Sequence, residues 1–65
     1  MDNDLPALRD KNDESQSDLA AAVDVTRQTI NAVERDRYNP SLELAFKLAA
    51  HYDCAVEDIF HWSPD

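Results

Sequence analysis

Residues 15–35, SQSDLAAAVDVTRQTINAVER, hold two helical patterns with almost nothing between them, and that leaves few folds open. Ser15 is followed three residues later by Asp18, the N-cap-plus-acid signature of a helix start. Leu19, Ala20 and Val23 then recur at i, i+1 and i+4, one apolar face of a helix. Asp24-Val25 interrupts the pattern, and Thr26 is the next N-cap, with Ile30 and Val33 behind it at i and i+3. Two helices of about two turns each, joined by roughly three residues, make a helix-turn-helix, a layout whose second helix can enter a DNA major groove.

The polar side chains of that second helix then point in a definite direction. At about 100° per residue, Ile30 and Val33 share one side while Arg27, Gln28, Asn31 and Arg35 cluster on the other, with Ala32 at their edge. Arg binds guanine bidentately, Gln does the same for adenine, and a small Ala can touch a thymine methyl. An ordinary solvated helix face has a similar polarity. The short turn in front of this one favours a base-reading surface.

Charge pulls the other way. Fourteen acids against six bases give a net −8, whereas a DNA binder normally carries a basic footprint. Either the chain does not bind DNA, or it works in concentrated salt, where an acidic surface keeps a protein soluble. At 1 M salt the Debye length is about 3 Å, so distant acids would barely repel a phosphate. The distribution favours the second reading, a halophile cytoplasm. Arg27, Arg35 and Arg37, half of all Lys and Arg, fall within eleven residues, and most acids lie elsewhere.

Sixty-five residues allow one domain, 1–65. A chain of this size buries only about 60 % of its unfolded surface, so a dimer would help to stabilise it. No apolar run approaches the ~20 residues of a membrane span, and no leader is expected. A single cysteine points to a reducing compartment, hence the cytoplasm.

Taken in order, residues 1–4 are expected to fray. A first helix runs from about Asp4 to Asn12, with Pro6 tolerated in its first turn. Leu5 and Leu8 face the core; Arg9 and Lys11 are exposed and within reach of a phosphate. Gln16, in the first turn of the second helix, is placed to touch a phosphate and brace the recognition helix. The loop Arg35-Asp36-Arg37-Tyr38-Asn39-Pro40 suits phosphate contacts. Ser41 caps a fourth helix, Leu42 to about Tyr52, whose core face is Leu44, Ala45, Leu48 and Ala49. Asp53 follows where Gly is usual, yet the chain has no glycine. Val56–Phe60 makes a fifth, short helix. Phe60, Trp62 and Tyr52, with Ile59, are the candidate dimer patch, and the tail 61–65 lies beside it.

The ordered set Leu8-Arg9, Ser15-Gln16-x-x-Leu19-Ala20, Val25-Thr26-Arg27-Gln28-Thr29-Ile30, Glu34, Arg37-Tyr38-x-Pro40-Ser41-Leu42-x-Leu44-Ala45 and Glu57-Asp58-Ile59-Phe60 resembles the Cro/XRE-type, lambda-repressor-like helix-turn-helix regulators. The resemblance implies a compact five-helix all-α DNA-binding domain. It also implies a homodimer on a pseudo-palindromic operator, usually acting as a repressor, with recognition helices about 34 Å apart. By position, Thr26 would cap the recognition helix beside a phosphate, and Arg27 and Gln28 would read bases. Gln16 would contact the backbone and support Gln28. Asn31 and Ala32 would lie at the groove edge, and Arg35, Arg37 and Tyr38 would hold flanking phosphates. Glu34 would be structural. The chain departs from the family pattern at Glu14, usually apolar, at Asp13 and Asp53, often glycine, and at Ala55, usually a Ser or Thr cap. These departures bear on stability, at about 1 kcal/mol for a lost cap, and Glu14 is expected to point outward.

An enzyme is not expected. His51, Cys54 and His61 lack the paired spacing and the four ligands of structural zinc, and with no glycine there is no Gly-rich phosphate loop. No cofactor or small-molecule effector is indicated. The serious alternative is an acidic helix-turn-helix protein-interaction module, antitoxin-like or an adaptor, that does not bind DNA.

Overall fold

The computed structural model describes residues 1–64, so Asp65, at the end of the tail considered for a dimer contact, lies outside the described residues. Its helices are α1 Leu5–Lys11, α2 Gln16–Ala22, α3 Arg27–Glu34, α4 Leu42–His51 and α5 Val56–Ile59. Two short strands, β1 Asp2–Asn3 and β2 Phe60–His61, pair antiparallel, with Asp2 opposite His61 and Asn3 opposite Phe60. The all-α five-helix expectation stands, with this small ribbon added.

The ribbon corrects two expectations. Residues 1–4 do not fray, and Phe60 is not helical. The side chain of Asn3 explains both. Its amide donates to the carbonyls of Val33 at 3.1 Å and Glu34 at 3.4 Å, and its oxygen accepts from Leu5 N–H at 3.1 Å. The N-terminal segment is thus tied to the end of α3, and Asp4 N–H reaches Ile59 carbonyl at 2.8 Å. Apart from the Leu5 bond, which spans two residues, these bonds join segments far apart in the chain and could not be read from residue types.

Helix starts follow local chemistry. Ser15 Oγ accepts from Asp18 N–H at 2.9 Å while Asp18 Oδ2 accepts from Ser15 N–H at 3.0 Å, a complete capping box. Hydrogen bonding from the Ser15 backbone N–H, and next from its side chain, holds the Asp18 carboxyl below its usual range. Thr26 and Ser41 cap α3 and α4 by accepting from Thr29 N–H at 3.2 Å and Leu44 N–H at 3.1 Å. Ala55 has no side-chain acceptor, and Asp58 Oδ2 instead takes Ala55 N–H at 2.9 Å.

Helix ends share one device. Asp13, Asp24, Asp36 and Asp53 all stand at left-handed φ, 53–59°, one after each of α1 to α4. The following N–H in each case reaches back over the turn: Glu14 to Arg9, Val25 to Ala20, Arg37 to Ala32 and Cys54 to Ala49, all at 2.9–3.0 Å. That is the Schellman closure, normally built on glycine. Asp is among the residues least penalised there, but the left-handed region still costs a non-glycine residue about 1–2 kcal/mol. Asp53→Gly is therefore expected to raise stability by about 0.5–1 kcal/mol, part of the strain relief being offset by the freer unfolded chain. A higher midpoint in urea checks it; a lower one contradicts it.

The core draws at least one fully buried side chain from each helix: Leu5, Leu19, Ile30, Leu48 and Ile59 are each 0 % exposed. Ala20, Val23, Val33, Leu44, Ala45, Ala49 and Phe60 fill the space around them. Leu8 is half-buried against this cluster.

Candidate nucleic-acid interface

α2 packs on α3, and the turn between them sets where α3 begins. Val23 is buried, Asp24 takes the left-handed step, and Val25 is half-buried with its N–H on Ala20 carbonyl. Thr26 then caps α3, so that Arg27 and Gln28 occupy its exposed first turn. Among the described residues neither side chain has a hydrogen bond or ion pair. Together with Asn31, one turn on, they line a shallow depression of about 340 Å³. Ala32, the next residue of α3, is half-buried. Arg35, Arg37 and Tyr38 are exposed, Arg35 as the C-cap of α3 and the others in the loop behind it.

The structure thus brings Arg27, Gln28 and Asn31 together. It places Gln16 differently from expectation. Its amide does not meet Gln28; Nε2 donates to Glu34 Oε1 at 3.0 Å, and Oε1 accepts from Asn31 Nδ2 at 3.5 Å. The reason is that Glu34, at the far end of α3, projects back towards the start of α2.

Glu34 is structural, as the resemblance implied, and its partner corrects another expectation. Arg9 is not an exposed arm for phosphate. Its side chain is 15 % exposed, and it holds Glu34, itself 6 % exposed, through Nε at 2.5 Å and Nη2 at 3.1 Å. Nη1 donates to Glu14 carbonyl at 3.0 Å. The bond to Glu34 raises the Arg9 guanidinium pKa further, against the opposing effect of burial.

Glu14 does not point outward either. Its carboxylate bridges to the end of α4, 2.6 Å from His51 Nε2 and accepting from Tyr52 hydroxyl at 2.8 Å. Burial, and next the hydrogen bond to Glu14, push the Tyr52 hydroxyl well above the ordinary tyrosine value. A raised folded-state value means that stability is intact below pH 10, where unfolded tyrosine ionises, and is lost as pH rises beyond it. Melting temperature is expected to fall above about pH 10 in the wild type and less so in Tyr52→Phe, which a pH series of thermal melts checks.

The expected dimer patch is only partly on the surface. Ile59 is 0 % and Phe60 7 % exposed, both spent on the monomer core, and Tyr52 is half-buried on Glu14. Trp62 is 73 % exposed. Residue reasoning passed over Leu42 and Phe46, 71 % and 60 % exposed, which sit i, i+4 on the outer side of α4. The signal was present, since both fall off the Leu44, Ala45, Leu48, Ala49 stripe.

His51 is paired with Glu14 and His61 with Asp4 at 2.8 Å. Cys54 is half-buried, and burial pushes its thiol up. Among the described residues no group of three or more potential metal ligands converges, and no helix is long and apolar enough to cross a membrane.

This chain matches a helix-turn-helix family over residues 7–59. It is 45 % identical to an uncharacterized HTH-type transcriptional regulator of Methanocaldococcus jannaschii over 65 residues, all of this chain and 98 % of that protein. A second such regulator, from Archaeoglobus fulgidus, is 43 % identical over 86 % of this chain and 79 % of its own length. A third, YgzD of Bacillus subtilis, is 42 % identical over 92 % of this chain and 91 % of its own length. With its capped α2 and α3, the intervening turn and a match running from within α1 to the end of α5, the chain belongs to the Cro/XRE-type helix-turn-helix family.

Proposed function

We propose that this protein is a sequence-specific DNA-binding transcriptional regulator and not an enzyme, with α3 in the major groove. Arg27 and Gln28 read bases, Asn31 and Ala32 lie against the groove edge, and Thr26, Arg35, Arg37 and Tyr38 engage phosphates. Gln16 stands beside the backbone at the start of α2. The observation that carries this reading is the pairing pattern on an acidic surface. Among the described residues Arg27 and Gln28 are left without internal partners, while two acids at and just past the end of the same helix are occupied, Glu34 by Arg9 and Asp36 by the Met1 amino group.

The regulator acts in the cytoplasm as a homodimer on a pseudo-palindromic operator, as a repressor. Trp62, Leu42 and Phe46 are the most exposed of the large apolar side chains among the described residues and are available for self-association. The net −8 suits a salt-rich interior, where long-range repulsion from DNA is screened.

Selection of bound sequences from random duplex DNA, in about 1 M and about 0.1 M KCl, tests this. A two-fold-symmetric site enriched in molar salt is expected. A folded protein that enriches nothing at either concentration favours the protein-interaction module, which the exposed Leu42, Phe46 and Trp62 would equally serve.

A further inference from the structure

The hydrogen bonds around Glu34 fix more than the fold. Glu34 accepts from Arg9 and, at 3.0 Å, from Gln16 Nε2. A carboxylate can only accept, so Gln16 must turn its amino group to Glu34 and its carbonyl oxygen the other way. There Oε1 faces Asn31 Nδ2 at 3.5 Å. A carbonyl oxygen also only accepts, so Asn31 is turned with its amino group inward. That leaves its Oδ1 and its second N–H unspent by the relay, and Asn31 lines the depression together with Arg27 and Gln28. An acceptor beside a donor matches the N6 and N7 edge of adenine. Without the carboxylate both amides could flip, and the presented edge would lose its polarity.

We infer that Glu34 is a positioning residue for base recognition, orienting Asn31 through Gln16 so that Asn31 reads an adenine. This rests on the DNA-binding reading above and names the base and the relay within that site. Glu34 itself reaches no base, and Arg9 anchors it from α1.

The test is a binding titration of the selected operator and its single-base variants in molar KCl. The proteins compared are wild type, Asn31→Ala, Glu34→Gln, Gln16→Leu and the Asn31→Ala/Glu34→Gln double mutant. Wild type is expected to prefer adenine at one position by about tenfold or more. Asn31→Ala removes that preference. Glu34→Gln, which can donate to Gln16 and release the relay, flattens the same position and leaves the others unchanged. The double mutant is no flatter than either single one. Should Glu34→Gln fail to fold, Gln16→Leu cuts the relay while keeping the Arg9–Glu34 pair, and the same flattening is expected. Weaker binding spread evenly over all operator positions, with the adenine preference kept, overturns the inference and leaves Glu34 a purely structural residue. An operator with no position sensitive to Asn31→Ala also overturns it, while the DNA-binding reading stands. A wild type that selects no sequence overturns both.

Discussion

Arg9→Ala is expected to destabilise the domain by about 3–5 kcal/mol, the range for removing one partner of a buried ion pair. Among the described residues the Glu34 carboxylate, 6 % exposed, would keep only the Gln16 amide as partner. The Glu14 carbonyl, past the end of α1, would lose its Arg9 Nη1 donor as well. At roughly 0.05–0.15 kcal/mol per residue, a domain of 65 residues has about 3–10 kcal/mol in all, so the mutant should lose a large share of its stability and melt well below the wild type. Urea or thermal melts followed by circular dichroism give the number. The double replacement Arg9→Met/Glu34→Leu should recover most of the loss, because the cost lies in stranding a charge. A single mutant that loses less than about 1 kcal/mol would mean the pair behaves as a surface salt bridge.

Arg27→Ala/Gln28→Ala should have the opposite profile: folding unchanged, recognition lost. Both side chains are exposed and unpartnered among the described residues, so the melt should stay within about 0.5 kcal/mol of wild type. Each base contact contributes about 1–3 kcal/mol of discrimination. Losing two should weaken binding to the selected operator from about thirtyfold to beyond a thousandfold, at 1.4 kcal/mol per decade. Binding to unrelated duplex should change far less, since Arg35, Arg37 and Tyr38 remain. Side-by-side titrations on selected and scrambled duplexes measure both. A double mutant that keeps the wild-type sequence preference would remove Arg27 and Gln28 from the reading surface.

These expectations differ in how far residue types could anticipate them. The capping box of Ser15 and Asp18, the Thr26 and Ser41 caps and the Leu44–Ala49 stripe are all set within four or five residues of chain. Local hydrogen bonding and the 3.6-residue period decide them, so they were readable before any packing was known. The exposed Arg27–Gln28 pair followed from the same periodicity. The aspartates at the helix ends were only half legible: Asp13 and Asp53 stood out against a glycine pattern, but Asp24 and Asp36 take the same conformation without that cue.

Contacts between distant segments behaved otherwise. Arg9 to Glu34, Glu14 to His51 and Tyr52, Asn3 to the end of α3, and Gln16 to Glu34 span 18 to 38 residues of chain. Each joins groups whose types suggest several roles: an Arg or a Gln could equally face phosphate, and Glu14 could equally face water. The amino-acid order alone settled five helix-forming segments, the caps that start three of them and the polar face of α3, because these depend on neighbours within a turn. Packing decided which polar side chains stay outside for a partner. It turned Arg9, Glu14 and Gln16 inward, because a carboxylate withdrawn from water must find a donor or stay unpaired at a cost of several kcal/mol.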